Sequence, residues 1–473
     1  MLSTLSSLTT TPTPTRHQLA LGKRMRGPQR HRLLQGYPLP PLMVPYQRQR
    51  PYEPVSVDSS RPLIVGILPH ASCNPAVQGC GYCTFPHEQF KVSEVRQTVR
   101  AVIDEVSRSS LRGRRVEALY FGGGTANLTP PDVFSELCQT VSRSFDLREA
   151  EVTLEGAPVY FSSRKEALLD SLQHELECQD RRLSMGVQTF DQRLLEAMGR
   201  QHLGAPEQVR RAVRAAQRRG MTSSADLMIN MPGQSLPDML ADVRQASDLG
   251  FSQICIYHLV LFRGLGTPWA RDRAMLASLP DNEQAFANWL QVRDLVLSLG
   301  YRQATLTNFE REGHYRYEEC SYTPERFDGA GFGPEALSCY TDLAGMTAVK
   351  WMNEPLGADY RRAMDEEGDA RARCFVYGAE DLRLLFLTRS LPRLRASRAI
   401  YRQTYGSDLV SDFAGPLEAL REAGLVSWDE ALLRLTERGM FYADSVAGLL
   451  AADRVAQLRQ GLTPDDPPVF RMG

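Results

Sequence analysis

Beyond Pro62, short apolar runs alternate with amphipathic segments, and this alternation restricts the fold more than any other feature of the chain. The runs are Leu63–Leu68, Val116–Phe121, Glu151–Glu155, Leu183–Gln188, Ala225–Met231 and Ile254–Leu261. Between them, apolar residues recur at helical spacing over Val92–Ser109, Pro131–Ser144, Lys165–Glu175, Pro206–Arg219 and Leu236–Leu249. Strand, helix, strand in succession implies parallel pairing through right-handed crossovers. Six such units predict an α/β fold built as a partial (β/α)6 barrel, with a complete eightfold barrel or an open doubly wound sheet as alternatives. In all three, functional side chains gather at the C-terminal ends of the strands.

The pattern then changes. A helix over Asp281–Leu299 leads to a short predicted strand at Gln303–Thr307 and an irregular aromatic and charged stretch, Asn308–Phe327. Helical spacing returns over Asp381–Arg389, Ala396–Tyr405 and Pro416–Ala423, followed by a small hairpin between Gly424 and Thr436. Helices closed by a hairpin predict a helical, winged-helix-like C-terminal domain. The expected units are a tail over 1–55, the barrel over 56–310, a connecting segment over 311–360 and an accessory domain over 361–473.

No acidic residue precedes Glu53, and the first residues are rich in Ser, Thr and Pro, then in Arg and Lys. This predicts a disordered basic tail on a cytoplasmic protein, with an organelle-targeting segment as the alternative. A formal net charge of −1 gives no support for nucleic-acid binding. No apolar run is long enough to span a bilayer. Nine cysteines, six of them scattered, do not form a disulfide framework, so a reducing compartment is expected.

The other three cysteines, Cys73, Cys80 and Cys83, share the loop after the first strand. Three thiolates on one loop can hold three irons of a [4Fe–4S] cluster and leave the fourth iron open to a small molecule. Zinc, with His70 or His87 as a fourth ligand, fits the cysteines equally well. The later strand ends add polar groups. Gly122-Gly123-Gly124-Thr125 lets a ligand approach the backbone closely. Glu155 offers a carboxylate, and Gln188 can bridge hydroxyls. Arg200 can pair with a carboxylate. Asp226 lies inside an apolar run and needs a partner. His258 is a candidate contact, with a packed core histidine as the alternative. Together these groups suit a zwitterion, a ribose and an adenine beside iron.

These residues resemble the radical S-adenosylmethionine (SAM) superfamily, and within it the oxygen-independent coproporphyrinogen III oxidase and haem chaperone-like family. The resemblance is carried by the cysteine loop, Gly122–Thr125, Arg182–Phe190, Asp226 with Met231-Pro232-Gly233-Gln234, Gly331-Phe332-Gly333-Pro334 and Leu435–Met440. It implies a radical SAM barrel and an oxidoreductase or transferase acting on a small molecule. Cys73, Cys80 and Cys83 would ligate the cluster. Gly123, Gly124 and Thr125 would pack on the methionine part of SAM, with Glu155 near its amino group. Gln188, Arg200 and Asp226 would contact its ribose and carboxylate. Reductive cleavage of SAM would yield a 5′-deoxyadenosyl radical that abstracts hydrogen. The resemblance further implies a monomer served by a reducing partner such as flavodoxin or ferredoxin. No catalytic residue is assigned beyond these. Three features depart from the family pattern. Six residues separate Cys73 from Cys80 where the family has three. Ile67 stands where the oxidases carry a Tyr. The stretch His314–Thr323 matches the haem branch only at Tyr322, leaving His314 or Cys320 as candidate haem ligands.

Overall fold

The computed structural model describes residues 14–29, 34, 36–46, 58–73, 80–85, 88–311 and 315–461. Six parallel strands form its centre: β2 (Leu63–Ile67), β3 (Val116–Phe121), β4 (Glu151–Gly156), β5 (Asp180–Gln188), β6 (Thr222–Ile229) and β7 (Gln253–His258). Each is followed by a crossover that includes helix, among them Val92–Arg108, Pro131–Ser144, Pro206–Arg218 and Leu236–Asp248. Side chains alternate strictly. Leu63, Val65 and Ile67 on β2, and Leu183, Met185 and Val187 on β5, are buried in the main core that includes Val95, Val99 and Val213 of the surrounding helices. Their neighbours Ile64, Gly66, Arg182, Ser184 and Gly186 face the other way, into the lumen. Tyr120 on β3 and Asp226 on β6 influence each other electrostatically across that lumen, although two strands separate theirs.

The sheet continues on both flanks. Beyond β7 come β9 (Asn308–Glu310), antiparallel to it, and the two-residue β8 (Arg302–Gln303). The strand expected at Gln303–Thr307 is thus split in two around a turn, where Ala304 and Thr305 donate their N–H groups to the Asn308 carbonyl. Beyond β2 lie β10 (Asp328–Phe332), β11 (Leu337–Asp342), β12 (Thr347–Asn353), β13 (Arg371–Tyr377) and β1 (Val44–Pro45), completing a thirteen-stranded sheet. The segment over 311–360 is therefore more than a connector, since it supplies three of these strands. Residues 361–377 also belong to the main body: helix Gly357–Glu367 packs on Val92–Arg108 and β13 pairs with β12. The C-terminal domain proper begins near Ala379. Its helices surround a small sheet of β14 (Arg395–Ser397), β15 (Val426–Trp428) and β16 (Leu432–Leu435), in the order β14-β16-β15.

The described part of the tail is ordered, which corrects the disorder expected over 1–55. Helix Arg16–Met25 starts at a capping box formed by Thr15 and Gln18 and packs against Ala414–Glu422 and Ala443–Leu450. Leu21, Leu34, Tyr37 and Met43 are buried. These side chains, with Leu42, fasten a segment whose overall composition is basic and polar. Among the described residues, no helix is long and apolar enough to cross a membrane.

Candidate active site at the C-terminal strand ends

The cysteine loop and the glycine run interlock. Cys73 N–H donates to the Glu88 carbonyl (3.3 Å) and Cys83 N–H to the Cys80 carbonyl (3.0 Å). Gly124 abuts the backbone just before Cys73: a Cβ there would lie 2.7 Å from the Ser72 carbonyl oxygen and 2.8 Å from that of Ala71. Only glycine permits this approach. Gly123 adopts φ +103° and lies close to the His70 carbonyl. The Thr125 hydroxyl hydrogen-bonds the Cys73 thiol, opposing the burial that pushes this thiol up to about 11. Cys80 and Cys83 are close enough to raise it further. On the far side of the loop, Trp269 N–H donates to the Gly81 carbonyl (2.9 Å) and the Trp269 ring meets Tyr82 edge-on.

Arg200 reaches the same loop. Its Nη1 donates to Cys80 Sγ (3.3 Å) and its Nη2 to the Gly186 carbonyl (2.6 Å), while Nε is buried and has no acceptor among the described residues. A buried guanidinium N–H without an acceptor costs about 1–3 kcal/mol. Beside it, Gln188 terminates β5 at φ +68°, a left-handed conformation unusual for a non-glycine residue. Asp242 holds that turn by accepting from Thr189 Oγ1 (2.8 Å) and Phe190 N–H (2.7 Å). Gln234, from Met231-Pro232-Gly233-Gln234, braces it by donating to Asp242 (3.4 Å) and to the Met228 carbonyl (3.1 Å). This loop thus positions Gln188.

Glu155 and Asp226 face each other lower in the lumen. Burial, reinforced by their mutual repulsion, pushes Glu155 up to about 8; a Tyr120 hydrogen bond and the charge of Arg182 oppose this. Burial likewise pushes Asp226 up to about 7 against hydrogen bonds from Cys255 and Ser184. Glu318, on helix Arg316–Ser321, adds a third carboxyl, also raised by burial. Tyr120 stacks on Tyr317 of that helix with ring centroids 4.6 Å apart.

The expected set therefore divides. Cys73, Cys80, Cys83, Gly123, Gly124, Thr125, Gln188 and Arg200 line the mouth, with Glu155 and Asp226 beneath. His258 sits at the rim, where it meets Asn230 Nδ2 (3.1 Å) and packs on Phe441 of the C-terminal domain (5.1 Å between centroids). His70 does not join the cysteines: it is buried, contacts Thr129 Oγ1 (3.1 Å), and burial pushes it down to about 4. His87 and His314 lie outside the described residues. Ile67 is fully buried among core side chains. Among the described residues no three Cys, His, Asp or Glu side chains converge as ligands of one ion. A cluster needs no such convergence, because each cysteine takes its own iron. Tyr120, Arg182, Ser184, Cys255 and Glu318 also face this lumen. Strand alternation through Arg182, Ser184 and Gly186 would have exposed two of them.

A model of the radical SAM superfamily matches residues 72–246. The haem chaperone HemW of Escherichia coli (strain K12) is 26% identical over 310 residues, covering 63% of this chain and 76% of that protein. The oxygen-independent coproporphyrinogen III oxidase of Paracoccus denitrificans (strain Pd 1222) is 26% identical over 383 residues, covering 76% and 80%. The solved structure of the Escherichia coli coproporphyrinogen III oxidase HemN superposes with a TM-score of 0.70 at 20% identity, over 84% of this chain and 91% of that one. With the thiol loop, glycine run and strand-end set on one lumen, residues 72–246 match the radical SAM superfamily, and the chain as a whole is similar to coproporphyrinogen III oxidases and haem chaperones.

Proposed function

We propose that this chain is a radical SAM enzyme that holds a [4Fe–4S] cluster on Cys73, Cys80 and Cys83 and abstracts hydrogen from, or alkylates, a small-molecule substrate. The observation that carries this reading is Arg200, whose guanidinium touches Cys80 Sγ yet keeps a buried Nε–H without an acceptor among the described residues. That vacant donor suits the carboxylate of a zwitterion placed against the cluster's open iron. Bound there, the cluster and SAM supply one-electron cleavage of a carbon–sulfur bond and a carbon-centred oxidant.

The chain's own residues bind and shield. Arg200 pairs with the carboxylate, and an arriving ammonium gives Glu155 the counter-charge that its burial lacks. Gln188 and Asp226 serve the ribose hydroxyls. Gly123, Gly124 and Thr125 leave room for the methionine chain while bracing the thiol loop. Trp269 and Tyr82 wall that loop from water. The electron comes from a small reducing protein such as flavodoxin or ferredoxin. A porphyrinogen is the first substrate to try, on the similarity to the coproporphyrinogen III oxidases.

The test is anaerobic reconstitution with iron and sulfide, then incubation with SAM and dithionite. The wild type should form 5′-deoxyadenosine. Cys80→Ala should lose both the cluster's visible absorption and that product, with its circular dichroism unchanged. Product formation undiminished in Cys80→Ala would sink the assignment. A second reading, a haem carrier, draws on the similarity to the haem chaperones. Stoichiometric haem binding with a Soret band, in a protein that leaves SAM intact, would favour it.

A further inference from the structure

A cavity of about 290 Å³ lies behind helix Arg316–Ser321, between it, β10, β11 and helix Ala379–Ser390. It adjoins the lumen through Ile64, Gly66, Tyr317 and Glu318, and none of the residues assigned above to the cluster or SAM lines it. Two cations do. Lys350, on β12, is 3% exposed. Two of its three donors go to the carbonyls of Gly36 (2.9 Å) and Pro38 (3.1 Å), and among the described residues the third donor has no hydrogen-bond acceptor and the ammonium no carboxylate partner. Arg389, half-buried on helix Ala379–Ser390, makes no ion pair among the described residues and rests over the Tyr322 ring at 5.8 Å.

The cavity's two acids are already engaged. Asp328 is shared between Arg61 Nε (3.1 Å) and Arg114 Nη2 (3.4 Å) and accepts from Thr341 N–H (3.2 Å). Glu318 hydrogen-bonds the Asn308 side chain. Lys350 and Arg389 therefore repel across the same space, with the Cys339 thiol beside both and no free carboxylate among the lining residues. Burial and the charge of Arg389 push the Lys350 ammonium down to about 7. Placing two like charges at one small cavity is unfavourable unless an anion joins them. Tyr322, Tyr377, Phe327 and Leu385 give the remaining wall an aromatic and apolar part, beside the hydroxyls of Ser321, Ser338 and Thr341. For scale, an apolar cavity of roughly 150 Å³ accepts benzene.

We propose that this cavity is a second ligand site, which takes a small organic carboxylate with an apolar or aromatic body, its carboxylate bridging Lys350 and Arg389. Such a ligand would bind with or without the cluster, so the proposal stands apart from the radical SAM reading.

The test is calorimetric titration of the full-length protein with benzoate and, in a second arm, with inorganic phosphate. Benzoate should saturate at about one equivalent, as one cavity requires. Arg389→Gln should weaken it by about tenfold or more, the loss of one charge-assisted hydrogen bond, with SAM binding unchanged. Lys350→Met should do the same. Should that buried variant fail to fold, Arg389→Gln, at a half-buried position, still decides the matter. Benzoate should also slow alkylation of Cys320 and Cys339, both of which line the cavity, and not of Cys178. Benzoate that does not saturate, affinity unchanged in Arg389→Gln, or binding of phosphate alone would overturn the proposal.

Discussion

The two ends of the barrel each bury an arginine and treat it in opposite ways. At the closed end, Arg182 commits Nε and Nη1 to structure, and only its buried Nη2 has no hydrogen-bond partner among the described residues. It donates to Thr153 Oγ1 (3.1 Å), Ser224 Oγ (3.2 Å) and Gln253 Oε1 (2.7 Å), pairs with Glu151 at 3.6 Å and lies over the Tyr315 ring. Glu151 in turn accepts the N–H groups of Arg316 (3.0 Å) and Tyr317 (3.4 Å), so helix Arg316–Ser321 plugs this end. Four strands and the plug meet on one ion pair. At the open end, Arg200 has a thiol and one backbone carbonyl as partners, on a backbone where Gln188 and Asn230 adopt left-handed conformations. One end supplies rigidity, and the other keeps donors available for a ligand.

The largest stability effect should come from the closed end. Arg182→Met leaves the buried Glu151 without its ion-pair partner, which should cost about 3–5 kcal/mol in urea unfolding. Arg200→Ala should move stability by no more than about 1 kcal/mol while weakening SAM binding to the reconstituted protein by about tenfold or more, with iron content intact. If the two variants behaved alike in unfolding, the contrast between the ends would fail.

A smaller effect separates the two ends by pH. Asp226 binds its proton more tightly in the folded chain than unfolded, so between its ordinary range and about 7 the native state carries the extra proton. Stability of the cofactor-free protein should therefore fall as pH rises from about 4 to 7. One such group contributes a slope of at most about 1.4 kcal/mol per pH unit. Asp226→Asn should flatten that slope, and an unchanged slope in urea titrations at stepped pH would show that Asp226 is not the group responsible.

The open end was largely readable in the sequence because its chemistry is local. For β3, β4 and β6 the strand, its terminal polar residue and the following helix lie within about thirty residues, and for β2 and β5 within about fifty. The thiol loop and Gly122–Thr125 carry their own signatures. The closed end was not readable, because it depends on distant pairings: Glu151 with Tyr317, and β2 with β10, for which nothing near Leu63 encodes a partner at Asp328. The same holds for the tail. Its few buried side chains, Leu21, Leu34, Tyr37, Leu42 and Met43, are too irregularly spaced to give a periodic signal, and their partners lie at the other end of the chain. Arg182 stood in the sequence as one more charged residue at a strand start, and only the fold reveals what it joins.

The central claim is that the three thiols hold a cluster with one iron left for SAM, beside an arginine kept free to receive it. Electron paramagnetic resonance of the anaerobically reconstituted, dithionite-reduced protein, recorded with and without SAM, tests it most directly. The account predicts that SAM shifts the reduced-cluster signal in the wild type, and that Arg200→Ala needs more SAM to reach the same shift. A cluster signal that SAM leaves unchanged in the wild type would contradict it.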